Sequence, residues 1–104
     1  MRGLVLTRGG YVKYKLVRVD KIPHVSRMQE DEFYLAKDGR DARSLCPCGC
    51  GTHIAIGFSL DQWRFVEENG RFSIEGAIRP LACHNSVEYE IRRNIVYWRD
   101  EGLG

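Results

Sequence analysis

Three of the four cysteines stand at alternate positions in one short run, Cys46-Pro47-Cys48-Gly49-Cys50-Gly51, and the fourth, Cys83, lies far downstream beside His84. Where thiols stay reduced, such a cluster tends to bind metal or do chemistry. The glycines and the proline let backbone N–H groups turn toward the sulfurs and stabilise the thiolates, the form that ligates metal. Zinc takes four such ligands in a tetrahedron, and four cysteines, or three with one histidine, are common closed sets. Two ligand sets fit this sequence. One is Cys46, Cys48, Cys50 and Cys83; the other is two of the first three with Cys83 and His84. The spacing departs from zinc fingers, whose ligands come in two pairs, Cys-x2-Cys or wider. A full set leaves no open position, so the ion would be structural and contribute ~10 kcal/mol or more of folding free energy. A set missing one ligand would leave a place for water, which a metal turns into a hydrolytic nucleophile. No His-Glu-x-x-His motif is present, which favours the structural form. Two other readings stand beside zinc: four buried thiols, or a disulfide framework, which requires export.

A hydrolytic site needs a nucleophile, a base within ~3 Å of it and an oxyanion donor. His84 is the best base in the chain, and Ser86 or a thiol the best nucleophile. His84 reads equally as a metal ligand, as a donor to a ligand, or as a solvated loop residue. His53 follows the loop on a run that alternates Ile54 and Ile56, and reads as a surface residue; His24, beside Pro23, reads as solvated. Asp61 and Glu88 are the acidic residues nearest these segments in sequence, and both read as surface charge. Trp63 and Trp98 read as core.

The elements that must hold these groups are mostly strands. Tyr11–Val19 alternates Val12, Tyr14 and Leu16 against Lys13 and Lys15, the period of a strand. Asp20–Glu30, with Pro23, reads as a connection, and Glu32–Ala36 as a short strand or helix edge. A run as rich in Gly and Pro as Cys46–Gly51 is a tight loop, and His53–Phe58 is the strand that leaves it. Asn69-Gly70, between Gln62–Val66 and Arg71–Ile74, is the strongest short hairpin signal. Arg93-Asn94, between Tyr89–Arg92 and Ile95–Trp98, predicts a second hairpin. The fold expected is mainly β: one or two small antiparallel sheets with the cysteine loop at one end, and room for one short helix near Arg27–Leu35.

The 104 residues make about one domain, with the tail 100–104 expected to fray. At 43% hydrophobic and 29% charged the composition is that of a globular chain. A domain this small buries only ~60–70% of its unfolded surface, so a metal staple would be useful. Apolar runs such as Ile95-Val96-Tyr97-Trp98 fall far short of the ~18 residues that span a bilayer, and no segment pairs a basic start with an apolar core of ~7–15 residues. No membrane association is expected, and the cytoplasm is the expected compartment. Sixteen basic against fourteen acidic residues leave +2, and Arg92-Arg93 and Lys13/Lys15 are balanced by Glu67-Glu68 and Glu88/Glu90, so a nucleic-acid face is not favoured.

Cys46-Pro47-Cys48-Gly49-Cys50-Gly51, then Trp63, then Cys83, then Ile91 with Asn94, Val96 and Trp98, together with Ile22-Pro23 and Glu32-Phe33-Tyr34-Leu35 upstream, resembles a small bacterial and phage family. Its pattern is a CPCGCG loop, a later Trp, a Pro-Ser-Ile turn, a Cys-x-Ser-His motif and a closing Asn/Gly-x-Val-x-Trp. The resemblance covers about residues 20–99. It implies metal binding and a place beside bacterial ubiquitin-like proteins and their activating and conjugating enzymes, with peptidase action on the ubiquitin-like protein as the sharpest form. Here Gly76-Ala77-Ile78 stands for Pro-Ser-Ile, and Cys83-His84-Asn85-Ser86 for Cys-x-Ser-His, so the family's Ser and His are displaced or lost. The function expected is thus a zinc-binding accessory or processing protein of a ubiquitin-like pathway. The alternative is a non-catalytic, zinc-ribbon-like module that binds nucleic acid or a protein partner.

Overall fold

The computed structural model describes residues 4–5, 12–58, 62–80 and 88–99. In chain order the strands are β1 (Leu4–Val5), β2 (Lys15–Val19), β3 (Glu32–Ala36), β4 (Asp41–Leu45), β5 (His53–Gly57), β6 (Arg64–Glu68), β7 (Arg71–Ile78), β8 (Tyr89–Arg92) and β9 (Ile95–Arg99). They form a four-stranded sheet in the order β2-β3-β4-β5 and a five-stranded sheet in the order β1-β9-β8-β7-β6. The fold is mainly β, as the alternation of apolar residues predicts.

One cluster of buried side chains joins the two sheets. Phe33, Leu35, Ala42, Ile54 and Ile56 from the four-stranded sheet meet Phe72, Ile74, Ile78, Tyr89, Ile91 and Val96 from the five-stranded one. The rings of Phe33 and Phe72 lie 4.8 Å apart across this interface. Trp63 and Trp98 were expected inside the core; both are only partly buried and pack against its rim. Each Trp still packs well there: the Trp63 indole N–H donates to the Ala77 carbonyl at 2.9 Å, and Trp98 lies against Tyr89 with ring centroids 5.4 Å apart.

Two features depart from the expected arrangement of antiparallel sheets built from unbroken strands. β2 and β3 run parallel, Lys15 opposite Glu32 through Val19 opposite Ala36. Parallel neighbours need a crossover of about a dozen residues or more, and the segment between them serves. It carries Ile22 and Met28 over the outer face of the sheet, where they cover Tyr34, Leu45, Val17 and Val19. This outer cover explains why Phe33, Tyr34 and Leu35 are all buried in succession. The short helix expected near Arg27–Leu35 reduces to a single 3-10 turn at Val25–Arg27, and the chain enters β3 by Glu32. Three consecutive apolar side chains are better accommodated by a strand covered on both faces than by a helix with one apolar stripe.

The second departure is at Tyr14. The alternation of Val12, Tyr14 and Leu16, two-sided from Val17 to Val19, predicts one strand, but its described part, residues 12–19, divides between the sheets. Lys13 bridges Ile95 and the Val96 N–H donates to the Val12 carbonyl, whereas β2 pairs with β3. Tyr14 sits at the crossing, wholly buried, with its hydroxyl donating to the Leu45 carbonyl at 2.7 Å.

The two predicted hairpins are present. Asn69 and Gly70 take φ of 53° and 76°, the left-handed pair that a two-residue turn between twisted strands requires. Arg93 and Asn94 take φ of 50° and 71° with no glycine. Asn94 supports that conformation with its side chain: Oδ1 accepts from the Phe72 N–H at 2.7 Å, and Nδ2 donates to the Tyr14 carbonyl at 2.9 Å. Its backbone N–H also donates to the Phe72 carbonyl at 2.8 Å. Asn94 therefore bolts the β8–β9 turn to β7 and to the crossing segment.

Candidate metal centre

The cysteine run is the loop of the β4–β5 hairpin. β4 delivers Cys46 into the core, where it is 1% exposed, while Cys48 and Cys50 are exposed. The loop is pinned at its neck, where the Cys46 N–H donates to the Thr52 carbonyl at 2.7 Å. Inside it, the Gly49 N–H donates to the Cys46 carbonyl at 3.1 Å. Gly49 and Gly51 hold φ of 90° and 84°. Residues with a Cβ rarely adopt such values, so the two glycines are what fold the run back on itself.

The result brings the three sulfurs together. The Sγ atoms of Cys46, Cys48 and Cys50 lie within 4.8 Å of one another, and those of Cys46 and Cys48 are 3.4 Å apart. Zinc–sulfur bonds of ~2.3 Å in a tetrahedron put sulfurs about 3.8 Å apart, so the cluster is close to the edge lengths of a thiolate metal site. The three cysteines could hold a metal ion. The Cys50 thiol also donates to Thr52 Oγ1 at 3.0 Å. Thr52 was not anticipated from sequence, and its only signal was a hydroxyl directly after the loop. Burial pushes the Cys46 thiol well above its ordinary pKa, and the neighbouring Cys48 and Cys50 thiols push the same way, while a backbone hydrogen bond from Cys48 opposes them. A cation that binds here must displace that proton, so metal uptake is coupled to proton release.

Of the other residues singled out by sequence, Cys83, His84, Ser86 and Asp61 lie outside the described residues, as does the tail 100–104. His53 is exposed on β5. Glu88 pairs with Arg79 at 3.1 Å. The described serines all have structural surroundings. Ser44 is 1% exposed in the core, and Ser73 Oγ accepts the Arg93 N–H at 2.9 Å. Ser26 Oγ lies 2.9 Å from His24 Nδ1, which looks like a catalytic contact. It is a helix cap: the same Nδ1 accepts the Ser26 backbone N–H at 3.1 Å and closes the 3-10 turn.

Fold and loop together define a small two-sheet β protein with a sulfur-rich hairpin suited to a metal ion. The chain matches the family described as bacterial ubiquitination-like system serine protease (BubE) over residues 18–99, and it belongs to that family. Comparison with curated proteins gives no match, and comparison with solved structures gives none either. No helix among the described residues is long and apolar enough to cross a membrane.

Proposed function

We propose that this chain is a single-domain, zinc-held processing protease of a bacterial ubiquitination-like system, acting in the cytoplasm on the tail of the ubiquitin-like protein. Membership of the serine protease family over residues 18–99 carries this reading. Zinc would be held by Cys46, Cys48 and Cys50 with Cys83 as the fourth ligand, a closed set that supplies cross-linking rather than an open coordination position. Soft sulfur donors at near-tetrahedral spacing support that choice of ion.

The chemistry falls to His84 and Ser86. The described serines are buried, bonded to a turn, or part of a cap; that leaves Ser59 and Ser86, of which Ser86 stands two residues from His84 and is the nucleophile of this reading. Its Oγ attacks the scissile carbonyl as His84 takes the hydroxyl proton. His84 then returns that proton to the leaving amine, and water, activated by the same imidazole, hydrolyses the acyl-serine. Ala77, where the family pattern carries serine, favours a second reading: an accessory subunit that binds the tail and the conjugating enzymes without cutting.

Incubation with the ubiquitin-like precursor of the same system separates the two. The protease reading expects a shortened product, lost in both Ser86→Ala and His84→Ala. Stable binding with no product, unchanged in those variants, would establish the accessory role instead.

A further inference from the structure

Among the described residues each sheet ends in edges with no further strand beside them, and the edges are not alike. β2, β6 and β1 guard theirs. β2 carries Lys15 and Arg18, and Arg18 is ion-paired to Glu67 of β6. β6 itself carries Arg64, Glu67 and Glu68, and β1 is only two residues long. Charged side chains, cross-ties and short length are the usual devices that stop an edge from recruiting another strand.

β5 has none of them. Its sequence is His53-Ile54-Ala55-Ile56-Gly57, with no lysine, arginine, acid or proline. The ladder to β4 fixes which backbone groups are spent. The Cys46 N–H bonds to Thr52 at one end and the Phe58 N–H to Arg40 at the other. Between them Ser44 faces Ile54 and Ala42 faces Ile56. Hydrogen-bonded pairs alternate in an antiparallel ladder, so Ile54 and Ile56 bond inward to β4. His53, Ala55 and Gly57 then turn their N–H and C=O groups outward, and no described residue accepts or donates there. The side chains flanking those groups leave room: Ala55 is exposed, and a Cβ built on Gly57 would meet nothing within 4 Å.

We propose that the β5 edge is the docking site for an extended, uncharged polypeptide tail, added as a fifth strand to the four-stranded sheet. Main-chain hydrogen bonds to His53, Ala55 and Gly57 provide the affinity. The absence of fixed charge along the edge selects an uncharged segment, since a charged one would lose hydration there without a partner. β5 begins where the cysteine loop ends, so one end of the added strand lies beside Cys50 and Thr52. This proposal rests on the tail-processing reading above and names how the tail is held.

Amide hydrogen exchange of the full chain tests it. The probes are the ubiquitin-like precursor and, separately, a synthetic peptide of its last ~10 residues. The expected result is slowed exchange at His53, Ala55 and Gly57, with Lys15–Val19 and Arg64–Glu68 unchanged. Ala55→Pro removes an outward N–H that the β4 ladder does not use. It should weaken binding roughly tenfold while the melt stays cooperative. Should that variant fold poorly, the exchange pattern of the parent chain decides alone. Cleavage without slowing at these amides overturns the edge site and leaves the protease reading intact. Slowing without cleavage supports the edge site and removes the protease reading. Concentration-dependent protection before any peptide is added would mean that two copies pair through β5, and would overturn the proposal.

Discussion

Tyr14 concentrates much of the physics of this fold in one side chain. It lies where the chain passes between sheets, fully buried, and gives its only proton to the Leu45 carbonyl. Burial, chiefly, pushes its phenol far above the ordinary 10; Tyr34 is raised too, first by burial and then by its bond to Glu32. The sign of the linkage follows. The unfolded phenols ionise near pH 10, the folded ones later, so the folded state holds more protons and loses stability as the pH rises past that value. The contribution is fully present below pH 10. Tyr14→Phe should cost about 1–3 kcal/mol at neutral pH, because the Leu45 carbonyl loses its donor. The same variant should be less sensitive to alkali than the parent. Urea midpoints measured from neutral to strongly alkaline pH check both, and a parallel fall in the two proteins would contradict the account.

At the scale of elements, the most constrained is the irregular end of β7. The β7–β8 ladder shifts register between Ile74 and Ile78, and Gly76 within the shift has φ of 116°. A Cβ there would stand 2.3 Å from the Gln62 carbonyl oxygen and 3.0 Å from Trp63 Cδ1. Gly76→Ala should therefore destabilise by about 2–4 kcal/mol, from backbone strain and overpacking together. It should also change the Trp63 emission, since the indole bonds to Ala77 next door. Thermal melts followed by tryptophan fluorescence report both effects.

Element by element, sequence was a good guide where local chemistry decides and a poor one where partners do. The Asn69-Gly70 hairpin was legible because its turn needs left-handed residues. The cysteine loop was legible because Gly49 and Gly51 leave the chain little choice but to turn. β4 was not foreseen: its inward residues are Ala42 and Ser44, too small and too polar to write an apolar alternation, yet both are buried. The break at Tyr14 was invisible because the alternation runs straight through it; only the competition between β9 and β3 for the same segment divides it. The parallel pairing of β2 and β3 is likewise a matter of where the crossover lands. Asn94 carried a turn signal but no hint that it also holds Phe72 and Tyr14.

For the whole molecule, the question is what a metal adds to a core shared by two small sheets. Cys46 belongs to that core, and Cys48 and Cys50 reach it through the loop. An ion bound there would cross-link the β4–β5 loop and fix it against the core through Cys46. Removal of metal with a chelator should lower the melting temperature of the loaded protein by roughly 10 °C or more, and Cys46→Ser should reproduce the loss. Elemental analysis alongside the melts would give the stoichiometry. A melt indifferent to chelator, in a protein that carries no metal as purified, would dismiss the staple.

The division at Tyr14 also sets how the molecule comes apart. One uninterrupted backbone is a rung of both ladders, like a thread sewn through two seams. Neither sheet can be peeled open without tugging stitches from its neighbour, so loosening begun in either half is passed to the other. Probes placed at Trp63, on the five-stranded side, and at Tyr34, on the opposite one, should trace a single unfolding curve.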